Sequence, residues 1–358
     1  MKKPLVTFVC PSYNHAKYVD DFINSVLAQT ISNWELIIVD DHSTDNNIEH
    51  IEKYTDDRIV FIKNNYNKGM AYGLNRGIVD AKADIISFVA SDDILFSTYA
   101  EEMLKEFEDE DISAVYCHLQ YIDDDGKVLL SKVELPVDNT TEEIYANLFV
   151  EKNQLPSPGM MFRKSAIKKY LPLNLGMIQY TDFQLHMFLL FEGKCKLKDK
   201  TLAYYRRSEG SASKISSAVV VREEIEMDTL MNTVCNQIGA NVEVFNKFFA
   251  NYKVLNENKI TPETTKFWLG RLALTSSMPE KQKWGLKTIM NYISCSENMA
   301  LLNKLYGFSY KDFMRLGALS CTDKRLKKLK KYKKLSNILL VVTFVLLVIN
   351  LLQVFNVF

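Results

Sequence analysis

The sequence predicts an α/β protein, a largely parallel sheet with helices on both faces, and two observations carry that reading. Apolar, strand-like runs at 6–10, 35–39, 58–62 and 84–89 alternate with amphipathic, helix-like segments near 17–29, 48–54 and 71–81. Two of those runs also end in adjacent carboxylates, WELIIVDD at Asp40 and Asp41 and ADIISFVASDD at Asp92 and Asp93. A βαβ series of this kind makes a parallel sheet, and such sheets bind ligands at the carboxyl ends of their strands. Both acidic pairs stand there. From about 101 to 215 the pattern is mixed, with strands near 114–122 and 127–131 joined by Asp123-Asp124-Asp125-Gly126, which reads as hairpin punctuation. From about 216 to 319 strand signals vanish and the chain reads as helical, interrupted at Thr261-Pro262.

Composition is that of an ordinary folded protein: 358 residues, 47% hydrophobic and 25% charged. The net charge of zero hides a segregation, because 324–334 (KRLKKLKKYKK) holds eight of the 44 basic residues and leaves 36 against 44 acidic groups elsewhere. An acidic body gives no sign of nucleic-acid binding. The six widely spaced cysteines form no CxxC pair and read as free thiols. The amino-terminal apolar stretch is short and lacks a small-residue cleavage site, so it reads as a strand and not as a signal peptide.

At the other end, 338–358 (ILLVVTFVLLVINLLQVFNVF) carries no charged side chain, and its 21 residues would make a helix of roughly 31 Å. Basic residues flank only its amino-terminal side, which predicts a carboxyl-terminal membrane helix with the large domain on the cytosolic face of the cell membrane. Asn350, Gln353 and Asn356 weigh against a full crossing. Leu326, Leu329, Tyr332 and Leu335 recur every third residue among the lysines, which suits a helix lying on anionic lipid.

Several motifs are excluded. The Asp41-x-Ser43-x-Asp45 run imitates a calcium-binding EF-hand loop, but Asn46 replaces the turn glycine and a strand precedes it. No G-x-G-x-x-G follows the first strand and no GxxxxGK[ST] occurs, so a nucleotide must be held by side chains and carboxylates. The histidines His15, His42, His50, His118 and His186 share no ligand spacing and read as surface or satisfied polar groups.

Four blocks, VTFVCPSYN at 6–14, WELIIVDDHSTD at 34–45, NKGMAYGLNRGI at 67–78 and ISFVASDD at 86–93, resemble in order and spacing the inverting family 2 glycosyltransferases with the GT-A fold. The resemblance covers roughly 4–215. It implies a GT-A (Rossmann-like) mixed sheet flanked by helices at 1–215, with a nucleotide-binding half at 1–100 and an acceptor half at 101–215. Next come a helical extension at 216–322 and a basic juxtamembrane segment with a hydrophobic helix at 323–358.

The resemblance also implies roles. Pro11 and Tyr13 line the nucleobase pocket, Asp41 accepts the base's imino hydrogen, Lys68 approaches the phosphates and Asp92 contacts the ribose or supports the metal shell. Asp93 binds Mn²⁺ or Mg²⁺, whose task is to neutralise charge building on the departing diphosphate. Relatives often carry D-x-D, whereas Ala90 here leaves Ser91-Asp92-Asp93 and puts three-carboxylate coordination in doubt. Asp182, opening DFQLHMFLLFEG, is the expected general base, since inversion by direct displacement needs a group to take the acceptor hydroxyl's proton. SPGMMFRKSAI at 157–167 resembles the acceptor and donor-sugar floor, with Gly159 allowing close backbone approach. In LAYYRRSEGSAS at 202–213, Arg206 and Arg207 read either as a partner of the diphosphate or as a surface arginine pair, and Ser208 stands where a histidine is common.

The implied function is a metal-dependent inverting transferase. It moves a sugar from a nucleoside-diphosphate donor, expected to be UDP-linked, to a hydroxyl of a membrane-associated glycan or lipid-linked acceptor in surface polysaccharide assembly. A non-catalytic membrane scaffold is the leading alternative. A sugar nucleotidyltransferase is disfavoured because PSYNHAKY lacks a glycine-rich phosphate loop. Whether the chain forms a homo-oligomer is left open.

Overall fold

A computed structural model describes residues 2–207, 220–255 and 258–319, and the chain divides into two units, Met1–Asn256 and Glu257–Phe358. The first unit holds a nine-stranded mixed sheet: β1 (Val6–Ser12), β2 (Trp34–Asp40), β3 (Ile59–Lys63), β4 (Ile85–Phe88), β5 (Ile94–Leu95), β6 (Ile112–Ile122), β7 (Val128–Val133), β8 (Met160–Arg163) and β9 (Lys194–Arg206). Its order is β3-β2-β1-β4-β8-β6-β9-β5, with β7 paired to β6. The first four strands are parallel, β8 runs against both β4 and β6, and β6 and β9 are parallel to each other.

The first half matches the sequence pattern closely. All of β2 and β4 is buried, as expected of parallel strands covered on both faces. α1 (Val19–Leu27) turns Val19, Phe22, Ile23 and Val26 inward at helical spacing. After α2 (Asn47–Glu52), α3 (Met70–Asp80) lies tightly on β1. A Cβ on Gly77 would stand 2.3 Å from Val9 Cγ1, and one on Gly73 would stand 3.1 Å from Pro11 Cβ.

The second half adds elements the pattern did not announce. α4 (Tyr99–Leu104) comes after β5, and α5 (Thr141–Val150) opens with a capping box between Thr140 and Glu143. β9 is 13 residues long, yet KCKLKDK reads as polar because Lys194, Lys196 and Lys200 face solvent. Lys198 instead pairs with Glu106 at 2.6 Å. The Asp123–Gly126 segment does close the β6–β7 hairpin, with Gly126 at φ +81°. α6 (Lys164–Ile167) precedes α7 (Thr181–Glu192), and every residue of α7 from Phe183 to Leu190 is buried. A helix apolar on all sides belongs in a core.

The division between units differs from the sequence reading of one helical extension over 216–322. α8 (Val220–Ile238) and α9 (Val242–Phe249) belong with the sheet, where Phe248 and Phe249 stack against Tyr145 and Phe149 of α5. The second unit contains α10 (Thr265–Ala273), α11 (Pro279–Ile293), α12 (Ser296–Tyr306) and α13 (Tyr310–Leu319). Pro262 interrupts nothing there, because it opens the 3-10 turn Pro262–Thr264 that leads into α10. Gly270 and Gly285 let α10 and α11 touch, since a Cβ on Gly285 would meet the Gly270 carbonyl at 2.6 Å. The basic segment and apolar tail expected at 323–358 lie outside the described residues. Among those described, no helix is long and apolar enough to cross a membrane.

α7 is tied to the sheet by a polar contact inside this core, Tyr116 Oη to His186 Nδ1 at 2.9 Å. Burial holds His186 neutral and lowers its pKa from 6.5 to about 4, although the Asp182 charge opposes the shift. The unfolded chain therefore takes up this proton first, so the contribution of neutral His186 is complete above pH 6.5 and is lost as pH falls toward 4. Denaturant titrations from about pH 7 to pH 4 should show a loss on the order of 3 kcal/mol from this site, and His186→Gln should flatten that limb. Equal slopes in the two proteins would refute the assignment.

Candidate functional site

The carboxyl ends of β1 and β2 meet in register, Ser12 beside Asp40, and the Asp41 amide donates to the Ser12 carbonyl at 2.8 Å. The two acids then part in role. Asp40 is buried and accepts from Ser43 N (2.9 Å), Ser43 Oγ (2.6 Å) and Asn47 Nδ2 (2.7 Å), so it fastens its own turn. Asp41 reaches across to the loop before α3, accepting from Asn64 Nδ2 (2.9 Å), Lys68 N (2.7 Å) and Gly69 N (2.7 Å). A carboxylate has about four lone-pair positions, so three donors leave room for a fourth. Gly69 sits at φ +86°, a conformation that side-chain-bearing residues rarely adopt.

The loops after β1 and β2 are knitted to each other. The Asn14 amide donates to Ser43 Oγ (2.9 Å), the Thr44 amide to Asn14 Oδ1 (2.8 Å) and the Ala16 amide to Asp45 Oδ2 (2.9 Å). Asn14 and His42 both adopt positive φ, a state these residue types tolerate better than most. Pro11 is half-buried beneath α3, and the Tyr13 ring next to it is 43% exposed. The Lys68 ammonium lies over the rings of Tyr66 and Tyr72 and 3.3 Å from Tyr72 Oη, so its backbone amide, not its charge, engages the acid cluster.

β4 delivers the second acid pair to the same edge, because it is parallel to β1 and the Val89 amide donates to the Val9 carbonyl at 3.1 Å. Asp93 is 1% exposed; one oxygen accepts from Arg206 N at 2.9 Å, and the other, Oδ2, has no protein partner. Burial and the neighbouring Asp92 raise its pKa well above the usual carboxylate range. Burial first, then the same two acids, also raise the Cys10 thiol and push Tyr205 up to about 12, which locates both side chains around the pair. Asp92 is more open, and His15 Nδ1 stands 4.0 Å from it and 2.7 Å from Ser91 Oγ. Two adjacent carboxylates with a buried, unpartnered oxygen suit a divalent cation, which would offset both desolvation and mutual repulsion. Among the described residues no three His, Cys, Asp or Glu side chains cluster to hold a metal.

The expectation that Arg206 reaches a diphosphate is not met. Arg206 is 2% exposed, and its donors go to the Asp92, Asp123 and Asp124 carbonyls (2.8, 3.0 and 3.2 Å) and to Asp21 Oδ2 (3.2 Å). Its position at the end of β9, behind the acid pair, makes it a structural clamp. Arg207 is exposed and donates to Tyr121 Oη at 2.8 Å. Ser208 lies outside the described residues.

Asp182 reaches the edge by another route. Met160 pairs with Phe88, so residues 157–159 leave β8 at the carboxyl end of β4. Ser157 Oγ donates to Asp182 Oδ2 at 2.7 Å, and Phe183 N donates to Oδ1 at 2.7 Å. Gly159, at φ +74°, is needed here for packing, since a Cβ would stand 2.7 Å from Cys117 Sγ. One sheet edge thus gathers Pro11, Tyr13, Asp41, Asp92, Asp93 and, through Ser157, Asp182. Sequence reasoning placed the segment that Ser157 opens at the floor of the site without giving Ser157 a role, and it read His15 as a surface or satisfied polar group; neither carries a spacing signal. A polar cleft of about 590 Å³ at the opposite edge, lined by Ile112, Arg163 and Lys194 among others, contains none of these residues.

Comparison with known proteins agrees with this geometry. Residues 7–171 match the family described as Glycosyl transferase family 2. An uncharacterized glycosyltransferase of Nostoc sp. is 28% identical over 61% of this chain and 69% of its own length. The Escherichia coli UDP-Glc:alpha-D-GlcNAc-diphosphoundecaprenol beta-1,3-glucosyltransferase WfgD is 32% identical over 40% of this chain, which spans 56% of that protein. S. aureus TarS (residues 1–349), solved in complex with UDP, superposes with a TM-score of 0.53 over 85% of this chain and 92% of its own at 16% identity, a likeness of fold alone. With the four sequence blocks, the parallel sheet and the acids at its carboxyl edge all in agreement, residues 7–171 form a region of the glycosyl transferase family 2 type, and the protein is a glycosyltransferase.

Proposed function

We propose that the protein transfers a sugar, with inversion at the anomeric carbon, from a UDP-sugar to a hydroxyl of a lipid-linked or membrane-associated glycan during surface polysaccharide assembly. The observation that carries this reading is the meeting, at one sheet edge, of an amide-held acid (Asp41), an acid pair with an unpartnered buried oxygen (Asp92 and Asp93) and a helix-start carboxylate (Asp182). The names of relatives support the donor and acceptor classes, since WfgD uses UDP-Glc and a diphosphoundecaprenol-linked sugar. The basic segment and apolar tail at 323–358 support a seat on the cytosolic face of the cell membrane, which keeps the active site near a lipid-borne acceptor.

In this reading Pro11 and the exposed Tyr13 ring line the base pocket, Asp41 accepts the base's N–H as its fourth donor, and Asp92 meets the ribose. Lys68 contributes its amide to Asp41, and its ammonium can swing from the Tyr72 ring toward the phosphates. Asp93, with Asp92 beside it, would hold Mg²⁺ or Mn²⁺. Such an ion supplies charge neutralisation on the departing diphosphate. Asp182 takes the proton of the acceptor hydroxyl as its oxygen bonds to the anomeric carbon and the bond to the diphosphate breaks on the opposite face. Ser157 keeps that carboxylate aimed, and no covalent intermediate is required.

UDP release from a panel of UDP-sugars with Mn²⁺ tests the whole reading, and no release with any donor would favour a non-catalytic scaffold. Asp182→Asn should lower acceptor transfer by about 10²-fold or more with UDP binding unchanged, whereas normal transfer would remove Asp182 as the base. Asp93→Asn should abolish the response of UDP affinity to Mn²⁺; a retained response would place the cation elsewhere. Deleting 323–358 should leave UDP release intact while the protein no longer sediments with membranes, and unchanged sedimentation would defeat the anchor.

A further inference from the structure

α8 carries an acid that faces inward. Glu226 is 3% exposed, and its Oε2 accepts from the backbone amides of Gln179 at 2.7 Å and Tyr180 at 3.0 Å. Its Oε1 lies 3.3 Å from Arg222 Nε, one turn earlier on the same helix. The two amides stand immediately ahead of α7, whose N-cap residue, Tyr180, makes no side-chain capping bond. A helix start leaves several amides without intrahelical partners, and a negative charge there is favoured by the helix dipole. Glu226 supplies both from a different element.

This hold falls close to the expected base. Asp182 is two residues beyond Tyr180, and the approach to it is a loop whose Leu175 and Ile178 are 51% and 56% exposed. At the end of that loop Thr181 Oγ1 donates back to the Met177 carbonyl. Beyond Asp182 the helix is locked into the core by Phe183 to Leu190. The start of α7 is therefore fixed from one side by packing, at the carboxylate by Ser157, and at the backbone by Glu226.

We infer that Glu226 is a positioning residue for the transfer step: it holds the first turn of α7 so that the Asp182 carboxylate stands where the acceptor's proton is removed. The inference rests on Asp182 being the base. Displacements of a catalytic group by about 1 Å can cost on the order of 10²-fold in rate.

The test uses the full chain with Mn²⁺, UDP-glucose and UDP-N-acetylglucosamine as donors, and a GlcNAc-diphosphoundecaprenol acceptor. Glu226→Ala should lower kcat for transfer about 10- to 100-fold with KM for the UDP-sugar within about twofold. Glu226→Gln keeps a carbonyl oxygen for the two amides and should recover most of the loss. In an Asp182→Asn background Glu226→Ala should have no further effect, because its influence passes through that carboxylate. Wild-type kcat in the alanine variant, equal losses in the glutamine and alanine variants, or additive losses with Asp182→Asn would each overturn the inference. Should the alanine variant fail to fold, Glu226→Asp, which withdraws the oxygens by one methylene, must show the same kcat-selective loss. Full activity of Asp182→Asn alone would instead overturn the base assignment, a result distinguishable from failure at Glu226.

Discussion

A single buried guanidinium holds the active edge together. Arg206 joins the end of β9 to the backbone after β4, to the β6–β7 turn and to Asp21 on α1, and it lies 4.6 Å from the Tyr18 ring. Its backbone amide grips Asp93 as well. A charge taken out of water is tolerable where its donors are well engaged, and here three carbonyls and a carboxylate take four of its five N–H donors. Because those partners come from separate elements, the acid pair cannot be placed without the hairpin and α1 being placed too. The positive charge also tempers the repulsion between Asp92 and Asp93, although burial still dominates and keeps the Asp93 carboxyl raised.

The two halves of the site are built differently. Asp41 is held by main-chain amides close in space to the strand that carries it, in loops that brace each other. Asp182 depends instead on contacts from distant elements: Ser157 ahead of β8, and the backbone hold from α8. The hold on Asp41 is thus local and rigid, whereas the placement of Asp182 integrates contacts from much of the first unit. The long burial of α7 and the Tyr116–His186 contact give that helix the stiffness such an arrangement needs.

The same contrast explains what could be read from the sequence. Strands β1 to β4 and their helices announced themselves because parallel strands are continuous apolar runs and the intervening helices keep a clean stripe. Both acid pairs were visible because they end those runs. β9 was not, since its exposed lysines mask the alternation, and β8 is only four residues long. Arg206 was misjudged for a related reason: nothing local distinguishes a buried clamp from a phosphate-binding arginine, and the partners that decide the matter lie far off in sequence. The packing of α8 against the loop before α7 is equally non-local, which is why a boundary at 215 looked natural while the chain divides after Asn256.

The missing side chains of Gly73 and Gly77 set how near α3 can ride over β1, and the head of that helix supplies the Lys68 and Gly69 amides to Asp41. α3 therefore acts as a rigid spacer between the middle of the sheet and the rim that carries Asp41. Bulk added beneath its far end, well away from any ligand, would lift the near end and loosen the grip on the carboxylate there. A lesion that looks purely architectural would register at the sheet's acidic rim.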